Sequence, residues 1–172
     1  MAAKPQHPRK LMAGEPKEEF APLLPVGFHE FDIAALRRLC VDRFPQSITR
    51  TTIMAGLESV LDLLNQNGMR GDVWINGSFT TEKLNPDDCD LIFMTTMDAV
   101  RAFTPAQRQF YEWFNRTSLK ASHRCDNYAL AQDENHPANE WLVAYWLRQF
   151  GFSRADHLKG MAIVKIPFLV SA

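Results

Sequence analysis

Apolar positions recur along the chain in two rhythms. Between about Ser47 and Asn67 they fall at Ile53, Leu57, Val60, Leu61 and Leu64, the spacing of one helix face. Gly68 is a natural stop for that helix. A shorter run, Ile33, Leu36, Leu39 and Cys40, keeps the same spacing behind Asp32, which is suited to cap it. Arg37, Arg38 and Arg43 take its solvated side. Thr104-Pro105 with Gln107 has the form of a capping box ahead of Phe110, Trp113, Phe114 and Leu119. Pro137 opens a last helix through about Phe150. Its buried side is expected to be Trp141, Leu142, Tyr145, Trp146 and Phe150, and Gly151 ends it.

The second rhythm is that of strands. Val73-Trp74-Ile75 and Leu91-Ile92-Phe93-Met94 are short apolar runs suited to buried strands. Gly160 to Phe168 sets Ala162, Val164 and Ile166 against Ile163 and Lys165. That run suits an internal strand until Pro167, a residue of edges and ends. Between His123 and Leu130, Cys125, Asn127 and Ala129 would share one face, and Asp126, Tyr128 and Leu130 the other. Asp and Asn disfavour strands, so Asp126 needs a reason to be there. Ala21 to Gly27 is expected to lie extended against the core. Residues 1–20 are polar and broken by prolines, the pattern of a mobile tail. Residues 21–172 then form a single α+β domain.

Composition narrows the function little. Hydrophobic residues make up 46% and charged residues 23%, ordinary values for a globular domain of 172 residues. A net charge of −1 gives no whole-chain argument for binding nucleic acid or membrane. No apolar run approaches the roughly 20 residues that span a bilayer, and no signal-peptide core opens the chain. The three cysteines, Cys40, Cys89 and Cys125, match no zinc spacing and suggest buried thiols in a reducing, cytoplasmic setting. Strand alternation should point Cys89 and Cys125 away from the neighbouring aspartates.

One stretch carries chemistry: Asp72 to Phe93, DVWINGSFTTEKLNPDDCDLIF. A strand is broken by Asn76-Gly77-Ser78, a polar loop follows, and the chain returns through Asp88-Cys89-Asp90. Side chains alternate along a strand, so Asp88 and Asp90 point to one face. Carboxylates held so close need positive charge between them, and a divalent cation such as Mg²⁺ takes these hard oxygens. Glycine lets backbone approach a ligand, and free N–H groups with the Ser78 hydroxyl can hold phosphate oxygens. Asp87 could replace Asp88 only by breaking the alternation with Asp90. Glu82 is expected in solvent, and His123, His136 and His157 have no shared metal spacing. Arg50 could reach a phosphate but is expected to be exposed.

Gly77-Ser78 followed by Asp88-x-Asp90 resembles the signature of the DNA polymerase β-like nucleotidyltransferase superfamily. Leu24-Pro25-Val26-Gly27, Pro86, Cys125-Asp126, Tyr145-Trp146, Phe150-Gly151, Arg154 and Lys159-Gly160 extend the likeness. Together they resemble a small family of bacterial and phage nucleotidyltransferase-like proteins. The resemblance implies the mixed β-sheet of the nucleotidyltransferase core with helices packed on it. It implies Asp88, Asp90 and Asp126 as catalytic metal ligands for two Mg²⁺ or Mn²⁺ ions, about 3.5–4 Å apart. Gly77 and Ser78 would bind the phosphates of a nucleoside triphosphate such as ATP, with Lys159 and Arg154 as further phosphate contacts. Asp126 would also help take the acceptor's proton. A nucleoside monophosphate would pass to an acceptor, whether protein, RNA end or small molecule, with release of pyrophosphate. The alternative is a catalytically silent binding module on the same scaffold, such as a protein-binding component of a toxin–antitoxin or phage-defence pair. A third is a small α+β domain unrelated to nucleotides.

Overall fold

The computed structural model describes residues 18–167. Five strands form one mixed sheet: β1 (Gly27–Glu30), β2 (Gly71–Asn76), β3 (Cys89–Thr96), β4 (Cys125–Gln132) and β5 (Gly160–Ile166). Their spatial order is β1-β5-β2-β3-β4. β2 runs antiparallel to both β3 and β5, while the two edge strands run parallel to their neighbours. Helices α1 (Ile33–Arg37) and α2 (Arg50–Gln66) precede β2. Helices α3 (Met97–Arg101), α4 (Pro105–Arg116) and α5 (Lys120–His123) link β3 to β4, and α6 (Asn139–Phe150) precedes β5. This is the expected single α+β domain.

Alternation along the central strands builds two cores. Val73 and Ile75 of β2, Leu91 and Phe93 of β3, and Ala162 and Val164 of β5 face one way. They pack against Ile53, Leu57, Leu61 and Leu64 of α2. Each fully buried leucine there contributes roughly 1.5–3 kcal/mol. Trp74, Ile92, Met94 and Met161 face the other way, where α6 supplies Trp146, Leu147 and Phe150. The first face is covered along its length. Among the described residues α6 is the helix that packs on the second, and it is the face that carries the aspartates.

The local signals acted as read at most ends. Asp32 Oδ1 accepts the Ala35 N–H at 2.6 Å. Thr104 and Gln107 form both halves of the capping box. Gly68 ends α2 at φ +66°. β1 was not legible, because four residues opening on glycine carry too little alternation. Leu23 and Glu82 hydrogen-bond to Thr80 and Ala21 respectively, so the segment before β1 is stitched to the polar loop.

Three expectations are corrected. The α6 stripe is wider than its contact with the sheet. Trp146, Leu147 and Phe150 fill that contact, leaving Trp141 79% exposed, with Leu142 and Tyr145 also outside. Trp113 is likewise exposed on α4. Arg50 is completely buried. Most of the proposed tail, and residues 168–172 of the proposed domain, lie outside the described residues. Within the tail's last residues, the Glu19 carboxylate accepts the Ala155 N–H at 2.6 Å and the Ser153 hydroxyl at 3.1 Å, so Glu19 is packed onto the domain. Among the described residues no helix is long and apolar enough to cross a membrane.

Candidate active site

Register brings the polar residues of three strands into one row. Asn76 of β2 stands opposite Asp90 of β3, and Asp90 stands beside Asp126 of β4. Asp88, two residues before Asp90, lies immediately ahead of the strand. The intervening Cys89 pairs in register with Cys125 on the opposite face, where their sulfurs lie 3.5 Å apart in the larger core. Their hydrogen bond, with burial, pushes the Cys89 thiol well above its ordinary range. Asp87 turns outward and pairs with Lys83 at 3.2 Å, so the alternation selects Asp88.

The Gly77 turn is built from below by Asn76. This buried amide accepts the Gly77 N–H at 2.8 Å and the Thr80 hydroxyl at 3.1 Å, and donates to the Phe150 carbonyl at the end of α6. The Gly77 N–H is therefore spent inside the turn. Glycine contributes differently: at φ +84° it lets the Asp90 carboxylate lie against the backbone, where a Cβ would fall within 3.0 Å of Oδ2. Ser78 follows at the start of a short 3₁₀ turn, half-buried at the same end of the sheet.

The loop between Phe79 and Leu84 is held by Arg50. Its guanidinium donates to the carbonyls of Cys40, Phe79, Thr81, Lys83 and Leu84, and it stacks 3.6 Å from the Phe44 ring centroid. Burial lowers its pKa. No phosphate can reach a side chain so enclosed, so its task is structural. Just after it, Asn85 Oδ1 accepts the Ile48 N–H at 2.9 Å, which ties the loop to the segment ahead of α2.

A cation already stands at the carboxylates. Lys120 Nζ pairs with Asp88 and lies 3.9 Å from Asp126 Oδ2. Asp88 and Asp126 are 16% and 21% exposed at the side chain, and Lys120 52%. The backbone beneath Lys120 is fixed. Asn127 Oδ1 accepts the Leu119 N–H, and its amide donates to the Phe114 and Thr117 carbonyls. At the other end of α5, the His123 carbonyl lies so close to Gly56 of α2 that a side chain there would collide with it.

Lys159 lies on the opposite side, near Asp90. Burial lowers its pKa, and the negative charge of Asp90 opposes that shift. It lines a groove of about 180 Å³ with Phe28, Leu147, Phe152 and Leu158. Arg154 is exposed in the turn before it. The site thus has two halves: Asp88 and Asp126 around Lys120, and Asp90 between Gly77 and Lys159. Among the described residues no three His, Cys, Asp or Glu side chains are gathered closely enough to hold a metal. The donor chemistry still suits a hard cation, since Asp88 and Asp126 offer carboxylate oxygens around one ammonium position. His123, His136 and His157 bond separately to Ser122, Ala138 and the Glu19 region.

Sequence reasoning missed Asn76, Asn127 and Lys120 and misassigned Arg50. Asn127 left a signal, an asparagine inside a strand, where its type is disfavoured, whereas Asn76 ends β2 and reads as part of the turn. Arg50 left none, because a buried guanidinium bonded to carbonyls needs no carboxylate partner in the pattern. Lys120 reads as one more surface lysine.

No curated protein and no solved structure matches the chain. One family model, described as a family of unknown function (DUF6932), matches residues 16–166. That match spans most of the chain, and the protein belongs to the DUF6932 family.

Proposed function

We propose that the protein is a metal-dependent nucleotidyltransferase of the polymerase β-like kind. It would move a nucleoside monophosphate from a triphosphate to an acceptor hydroxyl. The observation that carries this reading is the register: Asp90 and Asp126 stand side by side on one sheet face, with Asp88 two residues away and the Gly77 turn against Asp90. Mg²⁺ or Mn²⁺, held by Asp88, Asp90 and Asp126, would supply charge neutralisation at the phosphates and acidify the acceptor.

The chain's own groups then divide the work. Ser78, at the head of the 3₁₀ turn, meets the β- and γ-phosphates, and Gly77 keeps the space beside them free of a side chain. Lys159 would balance phosphate charge, with Arg154 in the solvent-exposed turn nearby. Asp126 takes the proton of the acceptor hydroxyl. The acceptor oxygen bonds to the α-phosphorus, the bond from that phosphorus to the bridging oxygen breaks, and pyrophosphate leaves. Positioning and charge compensation carry such a reaction.

A second reading has one observation in its favour. Lys120 already compensates Asp88 and Asp126, as it would in a silent binding module that takes no metal. One experiment separates the two. The protein and its Asp88→Asn/Asp90→Asn variant are incubated in cell lysate with each α-³²P-labelled triphosphate and Mg²⁺ or Mn²⁺. Label on a protein or RNA band, or on a small molecule, with the unmutated chain alone supports transfer and identifies the acceptor class. No label, with no thermal shift from any metal–nucleotide pair, overturns the enzyme reading.

A further inference from the structure

We propose that Lys120 is a placeholder for the site's cation: its ammonium holds Asp88 and Asp126 together until a divalent ion replaces it. The proposal rests on reading these carboxylates as metal ligands. Two partly buried carboxylates facing one space repel each other, and a single ammonium relieves that repulsion. Lys120 is attached in a way that allows it to leave. Its backbone is pinned by Asn127 and by the contact of His123 with Gly56, so α5 need not move. Its side chain is 52% exposed, and its four-carbon stem can carry the ammonium into water.

Arg50 shows the contrast. It is fully buried, has five carbonyl acceptors, and cannot leave without opening the core. Arg50 is thus a fixed cation, whereas Lys120 is exposed enough to exchange. An ion arriving alone must compete with Lys120 for Asp88 and Asp126. An ion arriving on a triphosphate brings additional ligands and charge to Ser78 and Lys159, and displaces the lysine more readily. Lys120 thereby weakens both by the same factor, and the metal–triphosphate complex, with its further contacts, is the form that still binds tightly.

The test uses the full chain and Mn²⁺ without nucleotide, counting unbound Mn²⁺ by electron paramagnetic resonance. Lys120→Met should bind Mn²⁺ about tenfold more tightly than the unmutated protein, and Lys120→Arg should not. In parallel, lysine acetylation read by mass spectrometry should show Lys120 labelled several times faster at saturating Mn²⁺, with no change in Asp88→Asn/Asp90→Asn. Labelling needs no Lys120 variant, so it decides the matter even where Lys120→Met fails to fold. Mn²⁺ binding by the unmutated chain with no gain in Lys120→Met, or with unchanged Lys120 labelling, overturns the placeholder role alone. Absence of Mn²⁺ binding in every variant overturns the metal-ligand reading and the placeholder with it.

Discussion

Gly77 and Asp90 occupy a space that admits only one side chain: a Cβ on Gly77 would intrude within 3.0 Å of the Asp90 carboxylate, and φ at Gly77 is +84°. Gly77→Ala is therefore expected to cost about 1–3 kcal/mol of stability from backbone strain, measurable by urea unfolding. It should also displace Asp90, so the thermal shift produced by Mg²⁺ with a triphosphate should disappear in protein that still folds.

The aspartates are expected to separate binding from transfer. Asp88→Asn/Asp90→Asn should remain folded by circular dichroism but lose stabilisation by the metal–nucleotide pair, about 2.7 kcal/mol at a hundredfold excess over the dissociation constant. Asp126→Asn should retain part of that stabilisation while label transfer falls to background. Scanning calorimetry beside the labelling assay checks both.

Arg50 should rank among the most sensitive positions in the chain. Arg50→Met strands five carbonyls among buried groups, and a loss of about 3–5 kcal/mol is expected in urea. Arg50→Lys should recover only a fraction, since an ammonium lacks the planar fork that reaches both sides of the loop.

Alkaline stability should report the buried thiols. Burial pushes Cys40 from 9.0 up to about 12. The unfolded chain releases this proton at lower pH than the folded chain does. Stability from Cys40 is thus full below pH 9.0 and is lost as pH rises toward about 12. Urea midpoints between pH 8 and 11 should fall less steeply in Cys40→Ala; equal slopes would count against the shift.

Much of the fold was legible because its signals are local. The α2 stripe, the capping box at Thr104 and the alternation around Asp88 and Asp90 each act within a few residues. The pairing of Asp90 with Asp126 was legible only through the resemblance, since a parallel register across 36 residues is set by the intervening helices. The exposure of Trp141 and Tyr145 was not legible. Spacing gives the direction of an apolar stripe, whereas its width against a particular sheet depends on how much sheet is there to cover. Lys120 was illegible for a related reason. Its neighbour in space is chosen by Gly56 and Asn127, neither of which says anything about a lysine until the helices are packed.

The Arg50 clamp also has a consequence for how the protein meets proteases. The Phe79–Leu84 segment is polar and has little regular structure, and it contains Lys83, so by composition it should invite cleavage by trypsin. Its carbonyls are the solvation shell of a buried charge, however, and a protease must pull them away to thread the strand through its cleft. Lys83 should therefore survive limited digestion while exposed sites such as Arg154 are cut. In Arg50→Met, Lys83 should become one of the first bonds to break, which would make susceptibility at that one lysine a direct gauge of whether the loop is closed.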